Sequence, residues 1–189
     1  MFFFRFAAQG AFLMLYLLDA SVLITAHQNY YPIDRVPEFW GWLQHMGATG
    51  NIKMPLEIYE EIKDGPTDGE KDLLFAWIQD AENRSSILLK EEVDIAVLQD
   101  VVNKGYANDL MDVEVEQIGR DPFLVAYAMN GNERCVVTTE VSKPSKKRQN
   151  RHLPDVCKSM NVLSCDTFEL NRNLSFRTDW MNICYGLKT

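Results

Sequence analysis

The sequence predicts an α/β fold, a three-layer α/β/α sandwich around a central, mostly parallel sheet. Three observations carry that expectation. Short apolar runs alternate with segments whose apolar residues recur three and four apart, as strands exchanging with amphipathic helices would. The runs are continuous rather than alternating, as strands covered on both faces require. Several stop at an acid or a proline from which a helix begins. A chain of 189 residues, 47% of them apolar, is enough for one well-buried domain.

Taken in order, the run Leu15-Tyr16-Leu17-Leu18 ends at Asp19. Ala20 and Ser21 follow, then Val22, Leu23 and Ala26 at helical spacing, so the chain turns from strand into helix at the acid. In an open parallel sheet that carboxyl edge is where ligands bind. From this residue alone, capping of the helix by Asp19 is an equal alternative. Tyr30, Tyr31 and Pro32 break the pattern, and Pro37 opens a helix carrying Phe39, Trp40, Leu43 and Met46. Aromatics at that spacing belong in a core more often than on a base-stacking surface. Residues 52–54 read as a short strand, and Pro55 starts a helix over 56–63 with Ile58 and Ile62 inside. Glu57 and Glu60 are ordinary surface charges there, whereas Glu61 sits at the border of the packed face.

After the turn at Gly65 and Pro66, the periodicity predicts a helix over 70–81, a strand at 87–89 and a helix over 92–102. Residues 105–119 are acidic and read as a loop or an irregular helix. Gly119-Arg120-Asp121-Pro122 is a helix start, with Asp121 at the cap and proline in the first turn. Residues 135–138 form the next buried strand, with Glu140 close behind it. A helix over 154–160, a last strand at 162–165 and a short helix at 166–170 complete the domain. We expect residues 1–13 to be a peripheral extension, 14–170 the folded domain, and 171–189 a weakly structured tail.

A formal charge of −8 argues against a protein that coats duplex DNA by bulk attraction. Positive charge is nevertheless concentrated in Lys143, Lys146, Lys147, Arg148 and Arg151, on a polar stretch free of acids. Lys146, Lys147, Arg148 and Arg151 are therefore candidates for phosphate contact, with a solvated loop as the plain alternative. The four cysteines show no CxxC spacing and only three histidines accompany them, so no zinc pattern assembles. Free thiols in a reducing cytoplasm are expected. Arg5, Gln9 and Gly10 interrupt the apolar N-terminal stretch, which fits neither a membrane span nor a signal peptide. No GxGxxG or GxxxxGK[ST] is present.

The chemistry points to the acids. In a parallel sheet, Asp19 and Glu140 share one edge, and Glu61 and Asp121 lie on helices whose buried faces could reach the same crevice. Four carboxylates about 5 Å apart would repel by roughly 3 kcal/mol per pair at an effective dielectric near 20. Such a cluster needs a cation, and oxygen-only ligands suit Mg²⁺ or Mn²⁺. Beside a basic loop, that suggests phosphodiester hydrolysis.

The motifs LLDASVLI, MPLEIYEEI, GRDPFLVAYA and VVTTE followed by LPDVCKSMNV, in this order between about residues 14 and 170, resemble those of PIN-domain ribonucleases. The likeness is stronger to the VapC-like toxins of bacterial toxin–antitoxin modules. The resemblance implies a PIN-like sandwich and a Mg²⁺- or Mn²⁺-dependent endoribonuclease in which Asp19, Glu61 and Asp121 hold the metal that activates water. The family often shows Thr-x-Asp after the last core strand; Thr138-Thr139-Glu140 has Glu there, leaving Glu140 and Asp155 as alternatives for the fourth acid. Ser21 matches a position that assists metal or water. The same resemblance implies an RNA substrate, a cognate antitoxin, a cytoplasmic location with no membrane, and a homodimer for which the helix around Trp40 offers a contact. The rival reading is a catalytically inactive PIN-like module that binds RNA or protein.

Overall fold

The computed structural model describes residues 14–65 and 71–186, and the expected N-terminal extension lies outside that span. Four strands form one sheet: β1 (Leu15–Leu18), β2 (Ile52–Lys53), β3 (Arg134–Val137) and β4 (Leu163–Cys165). Their order is β2-β1-β3-β4 and every pairing is parallel. Helices flank the sheet in a three-layer α/β/α arrangement, as parallel strands require, because each crossover must traverse a face. The strand apolar runs are covered accordingly: Leu17, Leu18, Ile52, Val136 and Val137 have no exposed surface. Edge strand β4 is the exception, with Leu163 open to solvent.

The register places Tyr16 between Ile52 and Cys135, and Leu18 beside Val137. From β1 the chain moves to β2 on one side and later returns to β3 on the other. The winding therefore reverses between β1 and β3, and the carboxyl ends of these two strands border a crevice. Around it stand α1 (Ala20–Thr25), α3 (Leu56–Asp64), α8 (Asp121–Met129) and α9 (Leu153–Ser159). Helix α8 is buried along most of its length, through Leu124 to Ala128, which makes it the central support of one layer.

Several elements depart from the sequence expectation. Residues 87–89 do not make a strand. Asp80 caps α5 (Ala81–Ile87) by accepting from the Glu82 and Asn83 N–H groups, the helix takes up Ile87, and only Leu88 forms a bridge, to Met54. The expected helix over 92–102 is displaced toward the C-terminus: Asp94 caps α6 (Ile95–Asp100), which runs on as a π-helical turn (Val101–Tyr106). The acidic stretch contains α7 (Asp112–Ile118). The tail is partly folded as α11 (Trp180–Tyr185), because the Trp180 ring is buried and its indole donates to the Glu38 carbonyl at 2.9 Å.

Helix α2 (Pro37–Ala48) corrects a further expectation. Phe39, Trp40 and Trp42 are 2% exposed or less, so its aromatic face is core and is not open as a dimer contact. Among the described residues no helix is long and apolar enough to cross a membrane.

Candidate metal centre

Asp19 is fixed by the sheet itself. Its N–H donates to the Val137 carbonyl at 2.9 Å, extending the β1–β3 ladder by one residue. It occupies the cap position of α1, yet its carboxylate does not cap the helix. Oδ2 instead accepts from Ser21 Oγ at 2.5 Å and Thr138 Oγ1 at 2.7 Å. Ser21 Oγ in turn accepts from the Thr139 N–H, and Thr138 Oγ1 from the Glu140 N–H. The capping alternative is thus set aside: Asp19, 7% exposed, is held by two hydroxyls that stitch the ends of β1 and β3 together. Ser21 and Thr138 thus both donate to the first acid, a contact of Thr138 that the sequence did not indicate.

Asp121 is the first residue of α8, and Arg120 rather than Asp121 occupies the cap position. Gly119 precedes them with φ +56°, a left-handed conformation that glycine adopts without strain, and this turn presents Arg120 and Asp121 to the crevice. The Arg120 guanidinium donates to the Glu57 carbonyl at 2.7 Å and to Asp64 Oδ2 at 3.0 Å, docking α3 against the start of α8. Glu61, one turn after Glu57, is thereby brought toward Asp121. An open cleft of about 470 Å³ lies between them, lined by Glu61, Asp64, Arg120 and Asp121. A larger cleft, about 730 Å³, lies away from these acids, beside Leu15, Gly50 and Lys53.

Electrostatics shows that four of the acids share one field. The Asp121 carboxyl is pushed up to about 8, first by burial and then by Asp19, Glu140 and Glu61. The Glu61 carboxyl is raised by desolvation and by Asp19, while Arg120 pulls it down. Glu61 is largely exposed, so water screens its part, and Asp121 is the stronger marker of the cluster. Glu140 is anchored where its Oε2 accepts from the Leu153 N–H at 2.7 Å, with His152 Nδ1 3.7 Å away. Asp121 thus lies within electrostatic reach of Asp19, Glu61 and Glu140.

Asp155, the alternative fourth acid, is used otherwise. Its two oxygens accept from Ser142 Oγ at 2.5 Å and the Lys143 N–H at 2.7 Å, closing the loop between β3 and α9. Burial alone would raise this carboxyl, but those two hydrogen bonds, with Arg151 and His152 nearby, outweigh it and hold it below its ordinary value. It is a loop clamp, and Asp121 does not feel it among its strongest neighbours.

The basic loop divides in the same way. Arg148 is withdrawn into a fork on Glu114, at 2.9 and 2.7 Å, and a further bond to Asp109 Oδ1 at 2.6 Å. Its φ of +55° is sparsely populated for a non-glycine residue, a strain these bonds offset. Arg151 donates to the carbonyls of Gly105 and Asp155. Both arginines are structural ties, which corrects the expectation that they contact phosphates. Lys146 and Lys147 are exposed, with side chains free to meet a polyanion.

The donor set at the crevice, carboxylates and hydroxyls only, suits a hard divalent cation. Among the described residues no three Asp, Glu, His or Cys groups are placed to hold one ion as they stand. Mg²⁺ keeps several waters and binds through one or two carboxylates, so it does not need three placed in advance. Sequence reasoning missed Arg120, His152 and Tyr106. Arg120 lies inside the GRDP motif, where a cation next to a candidate ligand was a usable signal; nothing local marks the other two.

These features define an α/β protein with an acidic crevice at the winding reversal of an all-parallel sheet. The chain belongs to the DUF4411 family, a domain of unknown function, whose model matches residues 16–178 and so spans every residue of the crevice. Comparison with curated proteins finds no match.

Proposed function

We propose that the chain is a Mg²⁺- or Mn²⁺-dependent endoribonuclease of the PIN-like, VapC-like kind, acting in the cytoplasm as the toxin of a toxin–antitoxin pair. One observation carries the reading: buried Asp19 is held by two hydroxyls at the carboxyl edge of the sheet, and it lies, with Glu61 and Glu140, within electrostatic reach of Asp121. Uncompensated carboxylates are costly there, and a divalent cation would remove the cost.

In this mechanism Asp19, Glu61 and Asp121 would hold the ion, directly or through its waters. A bound ion supplies Lewis acidity toward water and phosphate. Ser21 and Thr138 fix the Asp19 carboxylate through Oδ2, leaving Oδ1 for the ion. Glu140, fixed through Oε2, orients the attacking water and accepts its proton. Lys146 and Lys147 steer the RNA backbone by charge, and a cognate antitoxin that covers the crevice would silence it.

That no three such groups are placed to hold one ion among the described residues favours a second reading, a PIN-like module that binds RNA or protein without cutting it. Incubating an RNA pool with Mg²⁺, with Mn²⁺ and with EDTA separates the two. A nuclease cleaves in either metal, stops in EDTA, and loses cleavage in Asp19→Asn. Cleavage that survives in that variant, or no cleavage by the unaltered chain, refutes the hydrolytic reading.

A further inference from the structure

Tyr106 closes the π-helical turn that follows α6, a local widening of the helix often found next to functional sites. The turn is pinned against α9. Arg151 ties the Gly105 carbonyl to that of Asp155, and a Cβ on Gly105 would come within 2.9 Å of Val156 Cγ1. Tyr106 is therefore placed with little freedom, and it is 7% exposed. Its hydroxyl is buried and has no hydrogen-bond partner among the described residues.

A buried hydroxyl without a partner has given up its water for nothing, and such groups in native structures call for an explanation. The groups that act on this phenol supply one. Burial raises it well above its ordinary value, and the next contributions come from Asp121, Cys157 and Glu140. The turn it closes packs against α8, which Asp121 opens, and against α9, whose first N–H Glu140 holds, so the hydroxyl is a donor on the protein side of the crevice. Phenols otherwise buried for packing alone are served equally well by phenylalanine.

We propose that Tyr106 is a positioning residue of the cation site, whose hydroxyl donates to the Asp121–Glu140 side of the crevice once a divalent cation occupies it. The inference rests on the metal-site reading above. Drawing the carboxylates toward an ion, with the waters that complete its shell, brings acceptor oxygens to a donor that the metal-free protein leaves unused. The hydroxyl then fixes where those oxygens sit and contributes to affinity for the ion.

The test is Tyr106→Phe in the full chain, with Mn²⁺ as the probe in calorimetric titration and thermal unfolding recorded in EDTA. The ring is kept and only the unpaired hydroxyl goes, so the metal-free melting temperature is expected to equal or exceed that of the unaltered chain. Affinity for Mn²⁺ is expected to fall about fivefold to tenfold, as one hydrogen bond is worth. Equal affinity overturns the inference, as does a parallel fall in metal-free stability and affinity, which would mark a packing role. An unaltered chain that binds no Mn²⁺ overturns the metal-site reading itself, a result distinct from either.

Discussion

Replacing Asp121 by Asn tests the electrostatic reasoning with the metal left out. In EDTA the folded carboxyl keeps its proton up to about pH 8, whereas in the unfolded chain it ionises near its ordinary value of 3.8. Between those limits the folded state binds one more proton than the unfolded state. Stability from this group is therefore fully present below about pH 4, falls by about 1.4 kcal/mol per pH unit, and levels off above about pH 8. Taken whole, the shift is worth about 6 kcal/mol. Water reaches part of this carboxyl and its three acidic neighbours can move apart, so roughly half of that is the expected measurement. Asn keeps the shape and cannot ionise. Urea unfolding of both chains at pH 5, 6, 7 and 8 should show the unaltered protein losing stability relative to Asp121→Asn across the series. Adding Mn²⁺ at pH 7 should restore stability to the unaltered chain alone, since a ligand that binds only the folded state stabilises it. Parallel stability curves in EDTA would refute the claim that burial and the other acids hold Asp121 protonated.

Two further outcomes are expected. Thr138→Val removes one of the two hydroxyls on Asp19 while keeping the β-branched shape; it should cost about 1 kcal/mol of stability by urea unfolding and lower RNA cleavage more than RNA binding. Lys146→Ala with Lys147→Ala should weaken RNA affinity and reduce the magnitude of its logarithmic salt slope by about 1.4. Arg148→Ala should leave that slope unchanged and instead reduce the acid-side stability contributed by Glu114, leaving the part that the Met111 N–H supplies. The Glu114 carboxyl is held down to about 2 by the Arg148 hydrogen bonds, so its contribution is present above pH 4.5 and is lost as the pH falls toward 2.

Where the chain's own periodicity or stops decided the structure, the sequence was enough. The buried run ending at Asp19, the proline starts of α2 and α3, and the strand before Thr138 all follow from signals within a few residues. The misreadings share a cause, which is that a distant partner decided the outcome. Ile87 to Leu89 looks like a strand, but a cap seven residues before Ile87 and the lack of a full neighbour left it a helix end and one bridge. Arg148 and Lys147 are indistinguishable as sequence, yet Glu114, 34 residues away, pairs with one and leaves the other exposed. Asp155 and Glu140 were equal candidates until the loop closed and Ser142 and Lys143 claimed the former.

Tyr106 shows the same limit at the crevice. No local pattern distinguishes it from a core tyrosine, because what sets it apart is a missing partner, and an unpaired group is visible only after every neighbour has been placed. Its orphaned hydroxyl and the neutral Asp121 are two separate costs on one side of the crevice: a donor without an acceptor, and an acid denied its charge. Rearranging the protein to relieve one does not relieve the other, since water admitted to the phenol would leave the acids still crowded. A divalent ion with its waters relieves both, by neutralising the acids and by presenting oxygens to the phenol. Asp121→Asn should therefore stabilise the metal-free chain, Tyr106→Phe should leave it at least as stable, and each should weaken its hold on Mn²⁺.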